Sequence, residues 1–284
     1  MVRQTTPSGA AVLDTAAPDG GPSPVGSGPP LEIAVAVDDP EPEGLGNSIV
    51  NGVRLYVEEL NAQGGIAGRK LNIEVYDDGF EPELARNVAK QIATDSQAVA
   101  VVGHRVTGAS VAASDVYKAA QIPAITPTST HPDVTRDNPW YFRTVYTDDR
   151  LARFIAHYVK TVVRPASAIV VRGEHAYGKV LYRVFAATAA DLGTDIAGRF
   201  TVDPYRPADE RRRVLSAVLR ALRQSEGRTA VFMATYPEEA VDLIRAIREA
   251  RLEDVVLIAP DSFDRPDFAS LFQHLPLERR SPGF

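Results

Sequence analysis

LEIAVAVDDPEPEGLGNSIVNGVRLYVEELNAQGG, residues 31–65, holds one complete strand-and-helix unit and sets the pattern for the rest of the chain. LEIAVAV, Leu31 to Val37, is a short apolar run of the kind that forms a buried strand. Behind it, Ile49, Val53, Tyr56, Val57 and Leu60 recur at 3.6-residue spacing and predict a helix with one apolar face. Gly64 and Gly65 end that helix, because glycine takes the left-handed conformation that a helix C-terminus often needs.

The alternation repeats along the chain. Strand LNIEVY (Leu71 to Tyr76) precedes a helix opened by Pro82; strand AVAVVG (Ala98 to Gly103) precedes a helix over Ser110 to Ala120; and strand AIT closes the first series. After Asp148 a second series begins with a helix to Val163 and strand ASAIVV (Ala166 to Val171). A helix over Tyr177 to Leu192, strand DIAGRFTV (Asp195 to Val202) and a helix through Arg211 to Arg223 follow. Strand TAVFMA (Thr229 to Ala234), a helix over Glu238 to Ala250 and strand VVLIA (Val255 to Ala259) complete it. Strands alternating with amphipathic helices signal βαβ units on parallel sheets, and two series of similar size imply two α/β lobes, each doubly wound with helices on both faces.

Composition narrows the function. The 284 residues are 44% hydrophobic and 24% charged, enough for two cores of ordinary domain size. A net charge of -6 argues against nucleic acid or an anionic membrane as partner, since both demand clustered cations. Arg211 to Arg213 alternates with acidic residues and reads as a solvated helix face. With no cysteine, disulfides, thiolate metal sites and cysteine nucleophiles are excluded by inventory. No run approaches the ~20 apolar residues of a membrane-spanning helix, and the N-terminus lacks the succession of a secretory signal. Residues 1–30, rich in Pro, Gly and Ser, bury too little to offset ordering entropy and are expected to form a flexible linker. Such a linker belongs to a processed exported protein or to a piece of a larger fusion. Neither the five histidines nor any nucleophile or phosphate-loop motif carries an enzyme signature; Glu174 and His175 adjoin in a loop and read as solvated, so no catalytic activity, metal or cofactor is expected.

In open α/β sheets ligands collect at the carboxyl ends of the strands. The loops there are HRVTGAS after Gly103, PTSTHPD after Thr126, RGEHAYG after Val171, TYPEE after Ala234 and PDSFD after Ala259. They gather hydroxyls, glycines, two tyrosines and one acid placed to meet a cation.

These loops and their spacing resemble the type I periplasmic binding proteins, in particular the leucine/isoleucine/valine-binding branch. GLGNSIVNGVRLYVEELNAQGGIAGRKLNIEVYDDGFEPELARNVAKQI (residues 44–92) is similar to the family's opening helix, its NxxGGIxGR turn and its DD-plus-Pro segment. VVGHRVTGASVAASDVYKAAQIPAITPTSTHPDVT (residues 101–135) resembles its glycine turn with a hydroxyl-glycine pair and its Pro- and hydroxyl-rich loop, and WYFRT its lobe-crossing segment. The resemblance implies a hinged, two-lobed receptor that closes on a small amino-acid-like ligand for the membrane subunits of an ABC transporter, in the periplasm or outside the cell. It implies residues 31–147 as the first lobe, 148–262 as the second, and 263–284 as the start of a segment returning to the first lobe. That segment is short relative to the family, so the first lobe is expected to expose apolar surface. A ligand-sensing domain fused to a signalling protein or acting in the cytoplasm, and a scaffold without a ligand, are the other readings.

Carried over by position, the resemblance places Thr107 and Gly108 at the ligand carboxylate, and Thr128, Ser129 and Thr130 at its amino and carboxylate groups. Tyr177 and Tyr236 would close over the ligand and Asp261 would pair with its ammonium. A carboxylate at the helix start near Thr107 would meet exposed N–H groups and the positive helix end, worth about 0.3–1 kcal/mol. Each residue has a structural alternative as well: Thr107 and Asp261 as helix caps, the hydroxyls of residues 128–130 as a turn, the tyrosines as core-edge aromatics.

Overall fold

A computed structural model describes residues 28–265 and 268–272. The first series builds β1 (Leu31–Val37), α1 (Asn47–Ala62), β2 (Leu71–Asp77), α2 (Pro82–Asp95), β3 (Ala98–Gly103), α3 (Thr107–Ala120), β4 (Ala124–Thr126) and β5 (Tyr141–Arg143). Their five strands pair in the order β2-β1-β3-β4-β5, all parallel. The second series builds α4 (Asp148–Tyr158), β6 (Ser167–Gly173), α5 (Ala176–Asp191), β7 (Ile196–Val202), α6 (Ala208–Gln224), β8 (Thr229–Ala234), α7 (Pro237–Glu249) and β9 (Val255–Ile258). Its sheet runs β7-β6-β8-β9, again all parallel. α4 continues through a π-helical turn over Val159–Val163. The fold is α/β with two lobes, as the alternation of strands and helices predicts.

Alternate residues of each central strand face opposite helices, which is why the strands read as unbroken apolar runs. On the first sheet, Ala34, Ala36 and Val101 pack with Val88 and Ile92 of α2 and Tyr117 of α3, while Val35 and Val37 meet Val50 of α1. On the second, Val170 and Phe232 pack with Ile155 of α4 and Phe185 of α5, and Ile169, Val231 and Met233 pack with Val218 of α6 and Leu243 of α7.

Three details differ from the sequence expectation. Tyr56 does not join the buried face of α1; it is 63% exposed, and Val50 and Val57 anchor the helix instead. α3 starts at Thr107 rather than Ser110, with Val106 as the flanking residue and no side-chain cap, so the capping alternative for Thr107 does not hold. The Asp261 loop turns in a 3-10 segment, Asp261–Phe263, behind Pro260 rather than capping a longer helix. Phe142 and Ile125 lie side by side on the first sheet, 51% and 37% exposed. Apart from residues 28–30, the expected linker lies outside the described residues. Of the expected returning segment, residues 266–267 and 273–284 lie outside them too; Phe263, Phe268 and Phe272 pack against the α7 side of the second sheet.

Candidate functional site

The carboxyl ends of β3, β4, β6, β8 and β9 converge on one cleft of about 820 Å³ between the two sheets. From the first lobe it is lined by Asp38, Phe80, Arg105, Thr107, Thr128 and Thr130; from the second by His175, Tyr177, Tyr236, Glu239 and Asp261, among others. Six of the eight residues singled out in the sequence therefore share one cavity. Gly108 and Ser129 do not line it. A Cβ at Gly108 would stand 3.3 Å from Pro82, so this glycine lets α3 approach α2. The Ser129 hydroxyl is 2.6 Å from that of Ser110 and within 3.2 Å of the carbonyls of His104 and Arg105, bracing the loop from behind.

The first-lobe wall is rigid for identifiable reasons. Gly103 has φ 138°, and a Cβ there would lie 2.0 Å from the Ala36 carbonyl oxygen, so only glycine lets the chain leave β3 at this point. The next residue, His104, is fully buried, with Nδ1 2.6 Å from Asp78 Oδ2 and Nε2 2.9 Å from the Tyr117 hydroxyl. Its carbonyl accepts from Thr126 (2.8 Å) and Ser110 (3.0 Å). Thr128 donates to the Arg105 carbonyl at 2.6 Å, which ties the two hydroxyl loops together. The Arg105 guanidinium forms a two-pronged ion pair with Asp38 at 2.5 and 2.6 Å, placing a matched charge pair in the cleft wall. Thr107, in the first turn of α3, is thereby held beside backbone N–H groups that the helix itself cannot satisfy.

The second-lobe wall is aromatic. Tyr236 stacks between His175 and Tyr177, with ring centroids 4.3 and 5.2 Å away. Glu239 locks the stack: one of its carboxylate oxygens accepts from the Tyr236 backbone N–H and lies 2.8 Å from His175 Nε2. His175 therefore pairs with Glu239, 64 residues away in sequence, and not with its neighbour Glu174, which faces Lys179 and Arg172. Tyr177 donates its hydroxyl to Asp261 Oδ1 at 2.6 Å. Burial, reinforced by the Asp261 charge, pushes the Tyr177 phenol well above its ordinary range, and burial does the same to Tyr236, so both remain hydrogen-bond donors at neutral pH. Phe80 reaches from the first lobe to put its ring 5.6 Å from Tyr236, edge to face.

Sequence reading passed over Asp38, Phe80, Arg105 and Glu239. Arg105 stood in a quoted loop, but its pairing with Asp38, 67 residues upstream, has no local signal. Asp148 was passed over too. As the first residue of α4 it reads as an ordinary acid complementing the helix end, yet it is wholly buried and no hydrogen-bond partner meets either carboxyl oxygen. Burial raises its carboxyl to about 7.

Taken together, hydroxyls and a helix start on one side of the cleft face tyrosines and the Asp261 carboxylate on the other, an arrangement suited to holding a small zwitterion. A family model described as periplasmic binding protein matches residues 32–272. Over 209 residues the chain is 31% identical to an amino acid binding protein of Pseudomonas aeruginosa, which covers 73% of this chain and 54% of that protein. Over 215 residues it is 32% identical to Leu/Ile/Val-binding protein homolog 3 of Brucella melitensis, 75% of this chain and 56% of that one. The chain thus spans about half the length of these curated relatives. Among solved structures, the branched-chain amino acid transporter substrate binding protein LivJ from Streptococcus pneumoniae, in complex with isoleucine, superposes with a TM-score of 0.73 at 21% identity. That match covers 86% of this chain and 68% of LivJ. An ABC transporter substrate-binding protein from Desulfitobacterium hafniense in complex with Leu gives a TM-score of 0.64 at 27% identity over 85% of this chain and 76% of that one.

Proposed function

Because the chain belongs to the periplasmic binding protein family, in its branched-chain amino acid branch, we propose that it is a solute receptor whose lobes close on an α-amino acid. The observation that carries this is the convergence of Thr107, Thr128 and Thr130 with Tyr177, Tyr236 and Asp261 on a single cleft. In this reading the ligand carboxylate sits at the start of α3 against the Thr107 hydroxyl and Thr130, where the helix end favours an anion. The ammonium lies on Asp261, held in place by Tyr177. Both charges leave water on closure, and each needs its partner because an unpaired buried charge costs several kcal/mol.

The work is binding rather than catalysis, in keeping with relatives that are solute-binding proteins. Delivery to the membrane subunits of an ABC transporter, outside the cytoplasm, is the role proposed for the whole protein. The Arg105–Asp38 pair in the wall adds polar surface, so polar side chains belong in the ligand search beside leucine, isoleucine and valine. A thermal-shift screen of the purified chain against the common amino acids, small amides and urea tests this. A ligand that binds only the folded state raises the melting temperature by mass action. A rise with at least one α-amino acid is expected, followed by a calorimetric isotherm of one site; no rise with any of them, in a chain that melts cooperatively, would overturn the proposal.

A further inference from the structure

Asp148 opens the second series of elements, and its backbone N–H donates to the Thr130 carbonyl at 2.9 Å. It does not line the cleft itself, but its charge acts on Tyr177 and Tyr236 and couples to that of Asp261. The side chain is fully buried, and neither oxygen has a hydrogen-bond partner. The Thr130 hydroxyl faces the carboxyl but does not complete a hydrogen bond of good geometry, and Tyr146 lies nearby. Arg143, whose charge acts on it, is spent on the carbonyls of Ser129, His131 and Pro132 and on the Thr135 hydroxyl, at 2.6 to 3.3 Å. Asp149, beside it in sequence, points its charge to Arg153. A carboxylate so placed has lost its water and gained no donor, which is unstable unless it holds a proton or acquires a cation.

We propose that Asp148 is the proton-linked counter-charge of the cleft: its carboxyl holds a proton more readily in the empty site than when a cationic ligand group settles near Thr130, Tyr177 and Asp261, so binding expels a proton. The inference rests on the proposed function for its ligand. Its physical basis is the pairing of two acids of the second lobe, one at the start of α4 and one in the loop after β9. Without a cation between them Asp261 disfavours charge on Asp148; an ammonium held by Asp261 reverses the sign of the local field and favours it. Ionised and neutral forms of Asp148 then bind the ligand with different affinity, and linkage requires that pH and ligand affect one another.

The test is calorimetry with L-leucine as probe at pH 7 in two buffers of different ionisation heat. With a carboxyl titrating at about 7, roughly half a proton should leave per ligand at pH 7, approaching one at pH 6 and vanishing above pH 8.5. Affinity should fall about five-fold from pH 7 to pH 6, because the proton competes. Asp148→Asn, nearly isosteric, should abolish the buffer dependence and flatten the pH profile. 4-Methylpentanoate, leucine without its ammonium, should release no proton. In the unliganded protein, the potentiometric difference between wild type and Asp148→Asn should show one group titrating near pH 7. Leucine binding with equal heats in both buffers, proton release that survives Asp148→Asn, or no titration difference would overturn the inference and leave the receptor reading standing. Failure of leucine, glycine and every other amine-bearing probe to bind would overturn both.

Discussion

Replacing Asp261 with asparagine removes a charge while keeping the shape of the second-lobe wall. Tyr177 donates to Asp261 Oδ1 at 2.6 Å, and an asparagine oxygen accepts the same hydrogen bond in neutral form. Fold stability should drop by less than about 1 kcal/mol, the difference between a hydrogen bond to a charged acceptor and one to a neutral acceptor. Affinity is a different matter, because an ammonium at that place has lost its water and depends on the carboxylate. A hydrogen bond to a charged group is worth roughly 1.5–3 kcal/mol, so an α-amino acid should bind roughly 10- to 150-fold more weakly. Isothermal titration of wild type and variant with the amino acid identified by thermal shift reads this directly, and a desamino analogue supplies the control. The analogue should bind the variant at least as tightly as wild type, since it carries no ammonium and closure over it leaves the Asp261 charge unpaired. Equal affinity of the amino acid for both proteins would remove Asp261 from the site and refute the ammonium assignment.

Three other outcomes follow from the geometry. Phe80→Ala deletes the edge-to-face contact with Tyr236 across the cleft, a pair worth about 0.5–1.5 kcal/mol; ligand should bind roughly two- to ten-fold more weakly, mainly through faster release in stopped-flow, and an unchanged off-rate would show that Phe80 does not hold the lobes together. His104→Leu leaves Asp78 and the Tyr117 hydroxyl buried without their partner and should cost about 3–5 kcal/mol in urea unfolding, whereas a loss under about 1 kcal/mol would mean the network does not support the loop. Asp148 gives the unliganded protein a defined pH profile: its folded value of about 7 lies above the ordinary 3.8, so its contribution is most favourable below about pH 4 and is lost as pH rises to 7, by up to about 4 kcal/mol. Wild type should accordingly gain melting temperature on Asp148→Asn at pH 8 but not at pH 4, and equal gains at both would contradict that assignment.

Most of the fold was legible because its signals are local. β1 occupies Leu31–Val37, the run of apolar residues read as a strand, since a strand buried on both faces needs no partner to announce itself. Helix ends were less legible: α6 starts at Ala208, three residues before Arg211, because Asp209 and Glu210 favour a first helical turn without adding to the apolar period. Tyr56 followed the helical spacing and still lies in solvent, as periodicity names a face but not what covers it. The site divides along the same line. Thr107, Thr128, Thr130, Tyr177, Tyr236 and Asp261 all lie in loops or first helical turns at strand carboxyl ends, and topology alone gathers them. Asp38 on Arg105, Glu239 on His175 and the isolation of Asp148 arise from residues brought together across long stretches of chain, and no short window of sequence carries them.

The central claim, that one small zwitterion is held between the two lobes, is tested most directly by the crystal structure of the chain with the amino acid that shifts its melting temperature. The account predicts ligand density in the cleft, its carboxylate within hydrogen-bond distance of Thr107 and Thr130 and its ammonium on Asp261 beneath the Tyr177–Tyr236 stack. Ligand bound elsewhere, or in the cleft with its ammonium turned away from Asp261, would contradict it.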